Sequence, residues 1–416
     1  MKRFIYYIIP LLLVFSLLSQ EKTNAQETLD GYLVQAAENN PGLKAKFSEY
    51  HAALEKVPQV GTLPDPQVMF GYFIQPVETR LGPQKARISA SQMFPWFGTL
   101  KAQKNVATNM AQTKYEAFED ARSQLFYDLR SNYFNLYFTG RSIAITKENL
   151  KLLQSFKKLA LVKIEAGMAS TVDEYRLEME IGEMENQLAY LQDNYETQQV
   201  TFNNMLNRDR SATVQIPDTL WTKELTLNLQ QISDSVNLQN HQLKRLDNLM
   251  ATYQAEQEAA RKNGNPKFSI GFDYVFVGKG SMTSADAGKD AFVFPTVGIT
   301  IPLYRRKYQA MVQESEYNEE AATNQKADKI NTLNSVLEKT NRDYKDAVRR
   351  VTLFHRQLDL AHRSLNILES SYSTDGKNFE EVLRMERKVL KYALELDKAR
   401  ADRNASVAFI DYLMGK

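Results

Sequence analysis

Hydrophobic and polar residues alternate with period two in four segments of the chain. Val68, Phe70, Tyr72 and Ile74 share one face of the first, against Met69, Gly71 and Phe73 on the other. The second, Ala86 to Phe94, sets Ser89 and Ser91 opposite Ile88 and Ala90. In the third, Phe268, Ile270, Phe272, Tyr274 and Phe276 oppose Ser269, Gly271, Asp273, Val275 and Val277. In the fourth, Val293, Val297, Ile299 and Ile301 oppose Phe292, Phe294, Thr296, Gly298 and Thr300. Alternation over about nine to eleven residues predicts β-strands of the length that crosses a membrane. The connecting stretches, Pro76 to Lys85 and Gly278 to Asp290, are polar and rich in Gly and Ser, which predicts exposed loops rather than tight turns. Each strand alone would also suit an ordinary soluble sheet. Four strands cannot close a barrel, however, and an open aromatic sheet invites aggregation, so the pattern points to several chains sharing one barrel.

After each strand pair comes a proline corner, Phe94-Pro95-Trp96-Phe97-Gly98 and then Ile301-Pro302-Leu303-Tyr304-Arg305, and the period changes to seven. Leu337, Tyr344, Val351, Leu358, Leu365 and Tyr372 keep strict heptad spacing, with Thr340, Ala347, Phe354, Ala361 and Leu368 as their +3 partners. Tyr115, Leu129, Leu136, Ile143, Leu150 and Ile164 keep the same step in the first half, interrupted by Arg122 and Lys157. Such runs predict long helices in coiled-coil contact. A single helix over 98–166 would span about 100 Å. No proline falls between Pro95 and Pro217 or after Pro302. Each long helix ends in a glycine-containing break, Glu165 to Thr171 and Ser371 to Asn378, and a returning helix opens with Asp173 and Glu174 or with Glu380 and Glu381. Glycine suits the end of one helix and carboxylates the first turn of the next. A shorter helix opens each half, over Thr28 to Val57 and about Leu229 to Lys262.

The organisation therefore occurs twice: 26–216 as a first repeat, 217–228 as a linker within the stretch holding Pro217 and Trp221, and 229–416 as a second repeat. Lys2 and Arg3, the apolar run Phe4 to Leu18 and the polar lead to Ala25 give residues 1–25 the form of a secretory signal peptide. A membrane anchor is the competing reading, but the run is short and holds Pro10.

Composition narrows the function classes. The formal net charge of +2 gives no electrostatic footprint for nucleic acid. Cysteine is absent, which removes disulfides, thiolate metal sites and cysteine nucleophiles. There is no Gly-rich phosphate loop, nucleophile elbow or His-Glu-x-x-His sequence, so no enzyme is expected and no cofactor. His355 and His362 lie seven apart on one helix face, where solvated positions explain them as well as metal ligation does. Met168, Met179 and Met184 near the first break suit soft-metal handling, or ordinary helix packing.

The order and duplication of these features resemble the TolC-like outer membrane efflux proteins over nearly the whole chain after the signal segment. The features that carry the resemblance are the Leu63-Pro64-Asp65-Pro66 strand entry, the corners at Pro95 and Pro302, the breaks around Gly167 and Gly376, and the closing Tyr412-Leu413-Met414-Gly415. Gln75 to Gln84 and Pro95-Trp96-Phe97-Gly98 look most like the branch that serves heavy-metal efflux pumps. The resemblance implies a mainly α fold with a small membrane β part. It implies a homotrimer whose twelve-stranded β-barrel, four strands per chain, continues into an α-helical coiled-coil barrel. It implies outer-membrane lipid around the barrel, and as partners a periplasmic adaptor and an inner-membrane pump of the RND type. The channel would be the exit duct of a tripartite efflux system, with metal cations among its cargo. Asp173, Asp375, Glu380 and Glu381 become candidates for the aperture or gate, and Gly167, Met168, Ala169, Gly376 and Lys377 for adaptor docking. A type I protein secretion duct shares the architecture. A secreted coiled-coil surface or scaffold protein would explain the heptads but not the duplicated strand pairs.

Overall fold

A computed structural model of the chain describes residues 20–280, 288–375 and 379–416. Helices α1 (Gln20–Asn39) and α2 (Pro41–Gly61) lead to strands β1 (Gln67–Thr79) and β2 (Gly82–Phe94). Helices α3 (Thr99–Glu165) and α4 (Thr171–Met205) complete the first half. The second half repeats the order with α5 (Leu229–Gln239), α6 (His241–Asn263), β3 (Lys267–Val277), β4 (Ala291–Thr300), α7 (Arg305–Asp375) and α8 (Phe379–Leu413). None of the described helices is long and apolar enough to cross a membrane. The chain forms two compact units, each drawing on both halves.

The unit built from 46–118 and 241–329 holds the sheet. Its strands pair antiparallel in the order β1-β2-β3-β4, which leaves β1 and β4 as edges. The register puts Val68, Phe70 and Tyr72 beside Ala90, Ile88 and Ala86, and these beside Phe272, Tyr274 and Phe276. Ile299 and Val297 continue the same face next to Phe268 and Ile270. The other face is more polar, although Met69, Val275 and Val293 share it: the Arg87 guanidinium donates to Asp273 Oδ1 at 2.9 and 2.6 Å, and the Ser89 hydroxyl donates to the same oxygen.

Two expectations for the strands change. The stretch Pro76 to Lys85 is not a long loop: β1 continues to Thr79, β2 starts at Gly82, and the turn is tight, with Thr79 Oγ1 donating to the Gly82 carbonyl at 2.7 Å. Gly82 adopts φ +130 there. Pro76 fits a strand because β1 is an edge and its register shifts between Tyr72 and Val77, and Pro83 fits because it stands at the start of β2. In β4 the register shifts around Phe294 and Pro295, which carries Phe292 to the apolar face beside Tyr274 and Val293 to the polar face beside Asp273. The strict alternation expected for β4 had these two reversed, because one extra residue in a strand flips every side chain beyond it.

The unit that holds residues 20–45, 119–240 and 330–416 is helical over its described residues. One core gathers Leu33, Leu129, Tyr133, Tyr137, Phe202 and Leu206 with Leu220 from the segment after α4. A second gathers Leu153, Phe156, Leu177, Leu365, Tyr372, Phe379 and Val382. Of the heptad positions, Leu129, Leu136, Leu337, Thr340, Ala347, Ala361, Leu365 and Tyr372 are buried and the others are half-buried. The interruptions are met by carboxylates, Arg122 by Glu119 at 2.5 Å and Lys157 by Glu178 at 2.7 Å.

The opening helix of each half is broken into two. The first break falls at Asn40, whose side-chain oxygen caps α2 by accepting from Leu43 N at 3.0 Å, with Pro41 at the first helical position. The second falls at Asn240. Each asparagine turns its amide to the end of a returning helix. Asn40 Nδ2 donates to the Met205 carbonyl and Asn240 Nδ2 to the Leu413 carbonyl, both at 3.0 Å. The two returning helices also stop alike. Asn207 (φ 51) and Gly415 (φ 72) adopt left-handed backbone, while Arg208 N bonds Asn203 O and Lys416 N bonds Asp411 O. Both are Schellman closures.

Candidate functional site

The hairpin between α3 and α4 is built by local chemistry. Gly167 sits at φ +70, its N–H bonds the Ile164 carbonyl at 3.0 Å, and Met168 N bonds the Lys163 carbonyl at 2.8 Å. This closes α3 as the glycine predicts. Ser170 caps α4, its hydroxyl accepting from Val172 N at 3.2 Å, and Asp173 and Glu174 occupy the first turn. The matching helix α8 opens with Glu380 and Glu381 in its first turn. The helix α7 continues through Ser371 to Asp375, where the sequence suggests a break, because Tyr372 is buried in the second core with Phe379.

Polar links join the two hairpins near their bends. Arg176 Nη1 lies 3.7 Å from Asp173 Oδ1 on its own helix and 3.2 Å from Glu380 Oε2 on α8. Arg387 Nε donates to Glu180 Oε2 at 2.9 Å, with Glu180 buried. Lys163, also buried, donates from Nζ to the carbonyls of Tyr372 at 2.7 Å and Ser373 at 3.3 Å, and lies 4.8 Å from the centre of the Tyr372 ring. The lysine thereby satisfies carbonyls at the negative end of α7 from a neighbouring helix. Burial, and secondly the charge of Asp173, push the Tyr372 phenol up.

A further buried group carries a perturbed charge. Glu386 on α8 accepts from Asn149 Nδ2 at 2.9 Å and is 3% exposed. Burial first, and then the nearby Glu369, raise its carboxyl to about 7, against the opposing pull of Asn149.

The expected site residues divide. Asp173 and Glu380 come together on Arg176, while Glu381 is paired with Arg384 on its own helix. Gly167 and Met168 are exposed at the bend and Ala169 is half-buried beside them. Gly376 and Lys377 lie outside the described residues, as does the side chain of Asp375. His355 and His362 are exposed on α7, and Met184 is buried in the second core while Met168 and Met179 are exposed. Lys163, Arg176, Glu180, Glu386 and Arg387 were not singled out by the sequence. The three-residue step from Asp173 to Arg176, repeated from Glu381 to Arg384, was the available signal.

Sequence and structure comparisons agree with this architecture. Residues 32–208 match the model of the outer membrane efflux protein family. No curated protein matches the chain by sequence. VceC of Vibrio cholerae, an outer membrane protein, superposes at a TM-score of 0.76 and 14% identity, over 94% of this chain and 97% of its own. The Campylobacter jejuni outer membrane channel CmeC gives 0.77 at 14% identity, over 94% and 86%. CusC, described for transmembrane channel formation, gives 0.74 at 16% identity, over 93% and 92%. The chain thus has the fold of solved outer-membrane channels.

Proposed function

We propose that the chain is the exit duct of a tripartite efflux system, working as a homotrimer with a periplasmic adaptor and an inner-membrane pump of the RND type. The observation that carries the reading is the sheet: one face is apolar from β1 to β4, the other more polar, and the edges β1 and β4 are unpaired among the described residues. A sheet with those faces reaches a stable state in lipid only when its edges are closed by further strands. Three copies in a ring would supply twelve.

In this reading the first turns of α4 and α8 line the periplasmic aperture. Arg176 holds Asp173 and Glu380 across the two hairpins, so widening the aperture separates that pair. The same arginine offsets part of the negative charge the acids would place there, which moderates any preference for metal cations as cargo. The exposed bend at Gly167 and Met168, with Ala169, is a surface on which an adaptor hairpin can seat.

The test is extraction of the outer-membrane fraction in mild detergent, followed by native mass measurement. A trimer that forms conducting pores in planar bilayers is the expected result. A soluble monomer without pore activity overturns the duct.

A further inference from the structure

Two of the long helices start at one end of the sheet. Phe94 at the end of β2 is in register with Phe268 of β3, and Phe268 with Ile299 of β4. The corners at Pro95 and Pro302 therefore leave the sheet at the same end, into α3 and α7. Beside the second corner, the end of α6 and the start of α7 line a groove of about 420 Å³. Its lining is rich in hydrogen-bond donors: Arg261, Asn265, Arg305, Tyr308, Gln309 and Gln313.

The carboxylate of that lining, Glu316, lies 3.9 Å from Arg261 Nη2. Glu258, outside the lining, lies 4.0 Å from Arg261 Nη1 and 3.5 Å from Lys262. Arg305 and its neighbour Arg306 make no ion pair among the described residues, and the side-chain amides of Asn265, Gln309 and Gln313 make no hydrogen bond there. From Arg305 to Gln313 the sequence carries three cations and no acid. Helix stability does not account for them, because cations in a first turn oppose the helix dipole.

Apolar surface borders the groove. Leu303 and Tyr304, directly before Arg305, are 78% and 85% exposed. Phe97 of the first corner is 82% exposed, next to Trp96, which stacks on Phe268 at 5.6 Å. Uncompensated cations and free donors beside exposed aliphatic and aromatic side chains match a ligand whose anionic head is joined to hydrocarbon.

We propose that this groove holds the phosphate head of an anionic phospholipid of the phosphatidylglycerol class. Arg305 pairs with the phosphodiester, and Asn265, Gln309 and Gln313 donate to the other oxygens of the head. Arg306 and Lys307 add to the positive field, and the acyl chains run along Leu303 and Tyr304. The lipid assignment rests on the duct reading, which places the sheet in a membrane that α3 and α7 leave. A zwitterionic head would bring its own cation toward Arg305, Arg306 and Lys307. A second copy of the chain seated on the corner would shut lipid out.

The experiment is native mass spectrometry of the purified full chain in non-ionic detergent, titrated separately with phosphatidylglycerol and phosphatidylcholine of equal chain length. One tightly held phosphatidylglycerol per chain is expected, with phosphatidylcholine about tenfold weaker. Arg305→Gln should bring phosphatidylglycerol down to the phosphatidylcholine level, a loss of about tenfold for one charge-assisted contact. Lys101→Gln, exposed on α3 outside the groove, should leave the affinity unchanged. Equal affinity for the two lipids overturns the proposal, as does a trimer without any adduct, the result expected if a second copy covers the corner. Equal losses in Arg305→Gln and Lys101→Gln overturn it by showing a diffuse charge effect, and displacement by inorganic phosphate by showing a site for the free ion. The same spectra give the oligomeric mass. A trimer without lipid preference sinks the groove assignment alone, whereas a monomer sinks the duct reading whatever lipid it binds.

Discussion

Replacing Glu386 by glutamine should stabilise the α8 end of the hairpin pair, and only at neutral to alkaline pH. The carboxyl is 3% exposed, and burial with Glu369 close by raises it from 4.5 to about 7. A native-state value above the unfolded one means that the folded chain holds the proton more tightly. The associated stability is therefore fully present below about pH 4.5 and is lost as pH rises to about 7. That displacement corresponds to at most about 3 kcal/mol, or a few hundred-fold in a local opening equilibrium. The charged group acting on the site is Glu369 on α7, while Asn149 on α3 supplies a neutral donor. Glutamine keeps a hydrogen-bonding oxygen for Asn149 and removes the titration. Hydrogen exchange of amides in Phe379–Leu390, read at pH 5, 6, 7 and 8 and corrected for intrinsic rates, measures the effect. Wild type and Glu386→Gln should exchange alike at pH 5 and diverge through pH 7, with the variant better protected. A difference that does not vary with pH would refute the argument, because every other carboxylate cancels in the comparison.

Lys163→Met should cost about 2 kcal/mol, since it strands the terminal carbonyls of α7 that Nζ now satisfies, and limited proteolysis near Tyr372 should accelerate severalfold. Arg176→Ala should leave the proposed trimer intact and raise the open probability of the proposed channel in planar bilayers. Unchanged gating would remove the Asp173–Arg176–Glu380 link from the proposed aperture. Asn40→Ala and Asn240→Ala should each cost about 1 kcal/mol by denaturant titration, with additive effects in the double variant, since each asparagine serves a separate helix end.

The elements governed by local chemistry were legible in the sequence. Heptads gave α3 and α7, and the glycine and acid pair gave the bend at Gly167 and the first turn of α4. Alternation gave all four strands, yet it misplaced Phe292 and Val293, because a bulge leaves no periodic trace. The polar character of Pro76 to Lys85 argued for a loop where the chain forms a hairpin, since strand pairing is a tertiary property. The links from Arg176 to Glu380 and from Lys163 to Tyr372 join residues far apart in sequence, and nothing periodic connects them. The Asn40-Pro41 pair was a readable helix break. Its counterpart at Asn240 carries no proline, and becomes readable only when the two halves are aligned.

That alignment shows what the duplication retains and where it diverges. The same sequence separation relates Asp173 to Glu381, Arg176 to Arg384, Met205 to Leu413 and Asn207 to Gly415. At the far ends of the returning helices the two halves match bond for bond, in the closures at Asn207 and Gly415 and in the asparagine clamps on Met205 and Leu413. At the bends they differ. Arg384 pairs with Glu381 on its own helix, whereas Arg176 reaches beyond Asp173 to Glu380 of the other hairpin. Backbone hydrogen bonds at buried helix ends are costly to lose, and both halves keep them. An exposed ion pair contributes little to stability, so its redistribution between the halves is nearly free to change. The divergence is thus concentrated where a small energy could decide between two arrangements of the helices, and that is the end of the hairpins to which the duct reading assigns the gate.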